Sequence, residues 1–367
     1  MGAYDDDDKG YNSGSAYIFK RDGVGWSQQA KILASDGADY DAFGIVVCIS
    51  GDYAIVGAAY DDDKGNDSGS AYIFKRDGTN WSQQAKLTAS DGAGGDYFGC
   101  SVSISGNYAI VGAYDSAYIF KRDGTTWSQQ QKLLASDGSG QFGSSVSVSG
   151  DCAIVGAYGD DGRKGSAYIF KRDGVGWSEQ AKILASDGAA WDYFGCSVSI
   201  SGDYAIVGEI YDDDKGDGSG SAYIFKRDGV GWSQQAKILA SDGAAGDQFG
   251  WSVSISGDYA IVGAAYDDDK GTNSGSAYIF RRDGTSWIQQ AKLTASDGGG
   301  GDDFGISVSI SGDNAIVGAY ADDDEGTNSG SAYIFNKFCP KADLNGDCKV
   351  DFADFAIFAD SWLYGTD

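Results

Sequence analysis

One short phrase, Ser-Ala-Tyr-Ile-Phe, occurs seven times in this chain of 367 residues and constrains its fold more than any other feature. A Phe-Gly pair and a tryptophan followed by a glutamine-rich stretch each recur six times in the same order. Self-similarity at a period of 20–50 residues is typical of solenoids, propellers and arrays. The tyrosines of the phrase are Tyr17, Tyr72, Tyr118, Tyr168, Tyr223, Tyr278 and Tyr333, separated by 55, 46, 50, 55, 55 and 55 residues.

One unit, residues 249–303, predicts four strands, which we name a to d. Residues 249–256 alternate apolar and small polar side chains, a period of two that indicates strand a. Residues 259–264 form a continuous apolar run, as expected of a strand b buried on both faces. An acidic, glycine-rich loop leads to strand c at 276–282, and an Asp-Gly turn leads to strand d at 287–295.

Four strands in roughly 50 residues predict an all-β chain folded as a β-propeller of four-stranded blades. The chain starts at the end of a strand b and gives 25 predicted strands, ending on an a, b and c. A seven-bladed ring needs 28 strands, so we expect seven blades and an N-terminally incomplete propeller. A closed six-bladed ring, in which the first c and d pair with the last a and b, is the alternative.

Composition excludes several functions. The net charge of −27 would repel phosphate backbones and argues against nucleic-acid binding. The chain has no histidine, the commonest general base and metal ligand. Its six cysteines form no CxxC pair, which argues against a zinc cluster. No run of 18 apolar residues predicts a membrane-spanning helix.

The repeated motifs resemble the FG-GAP repeats of integrin-like propellers in their bacterial form, over about residues 3–335. The matching segments are Phe98-Gly99, Val111-Gly112-Ala113, the phrase at 69–74 and the Trp-Gln stretch at 81–87. The resemblance implies a propeller with a role in extracellular adhesion or ligand binding. Integrin-type repeats carry a calcium loop between strands a and b. Here that turn is only Ser201-Gly202-Asp203, so the integrin calcium site is not expected.

The C-terminal segment, residues 338–367, is predicted to be separate from the propeller at 1–337, because the only proline, Pro340, marks a boundary. Its oxygen-bearing residues fall at positions 1, 3, 5, 7, 9 and 12 of a loop, the EF-hand spacing that suits Ca²⁺. A short helix with one apolar face follows at 352–363. The predicted ligands are the side chains of Asp343, Asn345, Asp347, Asp351 and Asp354 and the carbonyl of Lys349.

This segment looks like one dockerin type I repeat, and the resemblance implies a cohesin-like partner. It departs from that pattern because only one repeat is present and Cys348 stands where the loop normally has glycine. A disulfide between Cys339 and Cys348 that holds this turn is a hypothesis.

Other conspicuous residues are predicted to be structural. The Asp triplets at 61–63, 212–214, 267–269 and 322–324 are interpreted as acidic loops rather than calcium sites, because adjacent residues point to opposite sides. The recurrent tryptophans are expected to pack between blades, whereas Trp191 and Trp251 break the repeat and are better candidates for ligand contacts. Cys100 and Cys196 hold the same place in different blades and are expected to be small buried residues without a disulfide.

Three functional hypotheses follow. The first is a non-catalytic extracellular or cell-surface binding propeller, with an unknown protein or glycan ligand, attached through its calcium-binding tail. The second is a carbohydrate-active enzyme, because paired carboxylates can hydrolyse glycosides. The third is a purely structural surface repeat protein. The first is favoured because near-identical blades predict repeated binding surfaces, and no nucleophile–base pair stands out.

Overall fold

The structure is a computed structural model that describes residues 1–336 except positions 24, 139, 230 and 325. The described residues form 26 antiparallel strands in seven separate sheets, which we number blade 1 to blade 7 in chain order. Each of blades 2 to 6 has four strands in the predicted order a, b, c, d. One short helical segment, α1 (Asp160–Arg163), lies between strands b and c of blade 4.

The strand bounds are as follows. Blade 1 has β1 (Gly2–Ala3), β2 (Ser15–Arg21) and β3 (Trp26–Ile32); blade 2 has β4 (Val47–Ser50), β5 (Tyr53–Ala58), β6 (Ser70–Asp77) and β7 (Asn80–Leu87). Blade 3 has β8 (Ser101–Ser105), β9 (Tyr108–Ala113), β10 (Ser116–Asp123) and β11 (Thr126–Leu133); blade 4 has β12 (Phe142–Ser149), β13 (Cys152–Ala157), β14 (Ser166–Arg172) and β15 (Trp177–Ile183). Blade 5 has β16 (Val198–Ser201), β17 (Tyr204–Glu209), β18 (Ser221–Arg227) and β19 (Trp232–Ile238); blade 6 has β20 (Ser252–Ser256), β21 (Tyr259–Ala264), β22 (Ser276–Asp283) and β23 (Ser286–Leu293). Blade 7 has β24 (Phe304–Ser311), β25 (Asn314–Ala319) and β26 (Ser331–Asn336).

The seven-bladed prediction is confirmed and the six-bladed alternative is wrong, because β2 and β3 form their own sheet instead of joining β24 to β26. The first and last blades are neighbours in the ring. Arg21 of blade 1 lines a cavity with residues 311–314 and Asn336 of blade 7. Arg122 holds the same place in blade 3 and lies 4.4 Å from the ring centre of Tyr53 in the preceding blade.

The hydrophobic core lies between blades rather than within them. Six clusters of buried side chains each join one blade to the next along the chain. The phenylalanine of each Phe-Gly pair is fully buried and packs edge-to-face on the strand c aromatics, as Phe249 does on Tyr278 and Phe280 at 5.4 and 6.0 Å. Such pairs add to the large apolar area that aromatic rings bury.

Two backbone features set the distance between blades. Gly263 of strand b faces the carbonyl oxygen of Gly305, which belongs to the Phe-Gly pair of the next blade, so closely that any Cβ would overlap it. Along strand a, alternate serines accept hydrogen bonds from the next blade. Ser254 Oγ, for example, accepts from the Ile310 N–H at 3.2 Å. The serine alternation of strand a therefore has a structural role.

No helix among the described residues has the length and apolar character needed to cross a membrane. The predicted calcium loop and helix of the tail lie outside the described residues, as does the proposed Cys339–Cys348 pair.

We expect Gly263→Ala to destabilise the protein by about 3 kcal/mol, because the new methyl group would force blades 6 and 7 apart. Urea unfolding followed by tryptophan fluorescence measures the change. Gly25→Ala is the matched control, since its Cβ would meet no described atom within 4 Å. Equal unfolding midpoints for the two variants would contradict the role of this contact.

Candidate functional site

The loops between strands b and c gather at one face of the propeller, and in blades 1, 2, 4, 5 and 6 a lysine of strand d binds an aspartate of this loop. In blade 2, Lys86 Nζ of strand d lies 2.8, 2.9 and 2.5 Å from carboxylate oxygens of Asp36, Asp61 and Asp63. Asp61 and Asp63 belong to the b–c loop, whereas Asp36 comes from the loop that follows blade 1. The buried Tyr72 hydroxyl lies 2.8 Å from Asp61 and 3.0 Å from Asp36. This network therefore joins two successive blades.

Lys31, Lys182, Lys237 and Lys292 bind b–c loop acids in the same way, whereas among the described residues Lys132 of blade 3 binds only Asp91 of the preceding loop. The first aspartate of each triplet, such as Asp267, is buried, although it belongs to an acidic loop. The first and third aspartates bind the lysine, while the middle one, such as Asp268, accepts the Asn273 N–H within the loop. Adjacent aspartates of a triplet therefore do point to opposite sides, as predicted. Their carboxylates have a structural role, because they bind the lysine or the loop backbone.

The a–b turns do not fit the calcium site of integrin-type repeats. In blades 2 to 6 each turn offers one carboxylate or amide oxygen, and that oxygen is already bound by an arginine of strand c in the same blade. In blade 5 the pair is Asp203 with Arg227. A calcium ion needs six to eight oxygen ligands, so these turns do not supply such a site.

The recurrent tryptophans pack between blades, as predicted. Trp127, Trp177 and Trp287 are buried. Several indole N–H groups donate to a glutamine of the preceding blade, as Trp127 does to Gln84 at 3.0 Å. Trp26 is the exposed exception at 39%. Blade 7, its neighbour, has no fourth strand among the described residues to supply that glutamine.

Trp191 differs from the other tryptophans in place and conformation. It is 59% exposed and has a φ of +79°, a left-handed conformation that costs a bulky residue energy. The equivalent positions in blades 3, 6 and 7 are Gly95, Gly246 and Gly301, each also at positive φ. Glycine takes this conformation without steric cost. Strained residues of this kind cluster at functional sites.

Trp191 belongs to an aromatic cluster on the loops of blades 4 and 5, made of Tyr158, Trp191, Tyr193 and Tyr211 around Arg163. The Arg163 guanidinium lies 4.5 Å from the centre of the Trp191 ring and donates to the Tyr193 hydroxyl at 2.9 Å. Tyr193 in turn packs 5.6 Å from Tyr158 and 5.2 Å from Tyr211. Trp251, the other predicted ligand residue, is half-buried and packs edge-to-face on its neighbour Tyr266.

Glu209 is a candidate site residue that the repeat pattern does not single out, although the sequence carries a signal for it. The end of strand b carries alanine in blades 2, 3, 4, 6 and 7 but glutamate in blade 5. Glu209 is fully buried, and its Oε2 accepts the Tyr223 hydroxyl at 2.6 Å. Burial and the nearby carboxylates of Asp192 and Asp212 raise the pKa of Glu209 to about 8.

Three groups of described carboxylates lie close enough together to hold a metal ion. Two of them belong to the b–c loop networks, and the third contains Glu209. They are Asp187, Asp212 and Asp214; Asp297, Asp322 and Asp324; and Asp192, Glu209 and Asp212. The tail ligands Asp343, Asn345, Asp347, Lys349, Asp351 and Asp354 lie outside the described residues, so the predicted calcium loop stays a prediction.

Cys48, Cys100, Cys152 and Cys196 are free thiols. Cys100 and Cys196 form no disulfide, as expected, and burial raises the pKa of Cys100 to about 11 and of Cys196 to about 12. Both thiols are therefore protonated and unreactive at neutral pH.

A seven-bladed all-β propeller of this kind is typically a non-enzymatic binding fold. The FG-GAP repeat profile matches six segments, which together span most of the chain, so the protein belongs to the FG-GAP repeat family. The matched segments are 26–74, 81–124, 127–170, 177–225, 232–280 and 287–335. Each segment runs from strand d of one blade to strand c of the next, so every sequence repeat bridges two blades. No individual curated protein matches the chain.

We expect Lys86→Met to destabilise the protein by about 3 kcal/mol at pH 7, because it leaves buried Asp61 without its cation. Burial opposes ionisation of Asp36, but Lys86 outweighs it and holds the Asp36 pKa below its ordinary value. Stability of this origin is present above the unfolded pKa and is lost as pH falls through the folded pKa. The destabilisation should therefore shrink below about pH 4.

Urea unfolding at pH 7 and below pH 4 tests this expectation. Lys75→Met on strand c of the same blade is the control, because Lys75 has no ion pair among the described residues. A destabilisation of Lys86→Met that does not change with pH would show that the carboxylates are not the cause.

Proposed function

We propose that this protein is a non-catalytic extracellular binding propeller that engages a protein partner through the aromatic cluster, and that its tail attaches it through a calcium-binding, dockerin-like loop. The observation that carries the proposal is Trp191, an exposed aromatic held at a strained position where most other blades have glycine. Such strain lowers stability and persists when it serves a function.

The residue types of the cluster favour a protein ligand. Tryptophan, tyrosine and arginine are the residues most enriched among those that dominate binding energy at protein interfaces. In this cluster, Arg163 stacks on Trp191 and is hydrogen-bonded to Tyr193, so the exposed surface is already ordered before a partner arrives. Preordered side chains lose less entropy on binding.

The charge around the cluster indicates the character of the partner. Asp213 is exposed two residues after Tyr211 in the same loop, and the whole chain carries a net charge of −27. Complementary charge at the rim of an interface speeds association and rejects wrong partners. The partner surface is therefore expected to be basic around an apolar centre.

The arrangement of the carboxylates favours binding over glycoside hydrolysis. Glu209 is fully buried, and the paired aspartates of the b–c loops are held by lysine and tyrosine. A catalytic carboxylate must reach the scissile bond of its substrate. An extracellular location is supported by the family, since FG-GAP repeats are typical of extracellular proteins.

Trp191→Gly should leave stability within about 1 kcal/mol of wild type while weakening partner binding about tenfold or more. Glycine is the residue of blades 3, 6 and 7 at this position, so the variant restores the repeat. Immobilised full-length protein would capture partners from an extract of secreted and surface proteins, followed by affinity measurement on each purified partner.

Ile288→Ala is the control, because Ile288 is exposed on the outer strand of blade 6, away from the cluster. Partners that bind wild type and Trp191→Gly equally would contradict the proposal. Trp191-dependent binding to a glycan array instead would assign a glycan ligand, and release of sugar from that glycan would indicate an enzyme.

For the tail, replacing Asp343 and Asp347 with alanine should remove one calcium ion per chain, because each supplies a carboxylate to the predicted loop. Titration calorimetry counts the ions, and far-ultraviolet circular dichroism follows the loss of helix when EGTA is added. Asp360→Ala, in the tail but outside the loop, should change neither. An unchanged calcium count in the double variant would reject the tail assignment.

A further inference from the structure

The buried glutamate of blade 5 changes the hydrogen bonding around it. In blade 6, Ser276 and Tyr278 both donate to the b–c loop aspartate Asp267, at 3.0 and 2.9 Å. In blade 5, the equivalent Ser221 and Tyr223 donate to Glu209 instead, at 3.3 and 2.6 Å. Only a 3.4 Å contact joins Tyr223 to the blade 5 loop aspartate. The substitution of alanine by glutamate therefore removes the serine donor from the loop aspartate and lengthens its tyrosine contact.

Three carboxyl groups converge on one buried point. Carboxylate oxygens of Asp192, Glu209 and Asp212 lie within 4.8 Å of one another, and all three side chains are buried. Glu209 Oε1 is itself buried and accepts no hydrogen bond from any described residue. A buried acceptor without a donor is costly, so the unpaired oxygen at this point calls for a partner such as a bound ion or a water molecule.

The charges at this point do not balance without a bound cation. Lys237 is the cation of the blade 5 network, and it already binds Asp187, Asp212 and Asp214. Glu209 and Asp192 add two buried carboxyl groups that have no ion pair with a lysine or arginine among the described residues. Buried carboxylates are stable only when they are paired or coordinate a metal.

We propose that Asp192, Glu209 and Asp212 form a calcium site in blade 5, separate from the tail. All three ligands are carboxylate oxygens, the donors that Ca²⁺ prefers, and waters can complete its flexible coordination. Zinc is disfavoured because it prefers nitrogen and sulfur ligands, and the chain has no histidine. The site also differs in place from the a–b turns, whose oxygens are bound by arginine.

The site lies directly beneath the aromatic cluster. Asp192 stands between Trp191 and Tyr193 in one loop, and Asp212 follows Tyr211 in another. A cation bound by both aspartates would fix these two loops relative to each other. Calcium would thereby hold the loops of the aromatic cluster in place without contacting its aromatic rings. The calcium site does not depend on whether the aromatic cluster binds a protein.

The test uses the full chain with Asp343 and Asp347 replaced by alanine, so that the tail loop contributes no calcium. Glu209→Ala in this background introduces alanine, which is the residue at the end of strand b in blades 2 and 6, so we expect the variant to fold. Asp217→Ala, an exposed acid in the same loop outside the cluster, is the matched control. Calcium titration calorimetry, calcium-induced shifts in melting temperature and tryptophan fluorescence are the readouts.

We expect the parent and Asp217→Ala to bind one calcium ion more than Glu209→Ala. Calcium should raise the melting temperature of the parent and change its tryptophan fluorescence, and both effects should vanish in Glu209→Ala. Adding Trp191→Gly should abolish the fluorescence change but keep the ion. Equal calcium counts for the parent and Glu209→Ala overturn the site, and so does a parent that binds no calcium, since Glu209 is then simply protonated.

Discussion

The close contact between a glycine of strand b and the Phe-Gly carbonyl of the next blade sets the geometry of the whole ring. Gly263 meets Gly305 in this way, and the equivalent glycines of blades 2 to 5 do the same. With this distance fixed, the serines of strand a reach the N–H groups of the next blade, and the core fills the wedge between sheets. The lysine networks and the tryptophan–glutamine bonds also span two blades, so they depend on that spacing.

The repeat and its strands could be predicted from the sequence because they follow from local periodicity. Seven blades followed from counting strands. The role of the aspartate triplets did not, because it depends on a lysine 23 to 25 residues away in strand d and on Asp36 from the preceding blade. The first aspartate of a triplet is buried because the b–c loop, strand d and the loop from the preceding blade pack together. This packing is tertiary structure, which local sequence patterns do not predict.

The candidate site could have been found in part from the sequence, by asking where one blade departs from the others. Glu209 replaces alanine, and Trp191 replaces the glycine of three other blades. Trp191 was identified as an irregularity, but its strained φ required the structure. Glu209 was overlooked because a single acid is inconspicuous in a chain with 54 acidic residues. Its importance comes from complete burial, which no sequence pattern revealed.

The two departures lie in the loop that leads into blade 5 and at the end of its strand b, whereas blade 2, which is preceded by an exposed aromatic of positive φ, Tyr40, has alanine at the end of its strand b. In a ring of near-identical blades, a costly residue in one blade is easily replaced by the residue that its neighbours carry. Glu209 carries the cost of a buried acid, and Trp191 carries backbone strain. Two of the three loops that carry the aromatic cluster, those of Trp191 and Tyr211, also carry an aspartate whose carboxylate lies near Glu209. A partner that binds the aromatic cluster and a cation that binds Glu209 would together explain why this region keeps both a buried acid and a strained tryptophan.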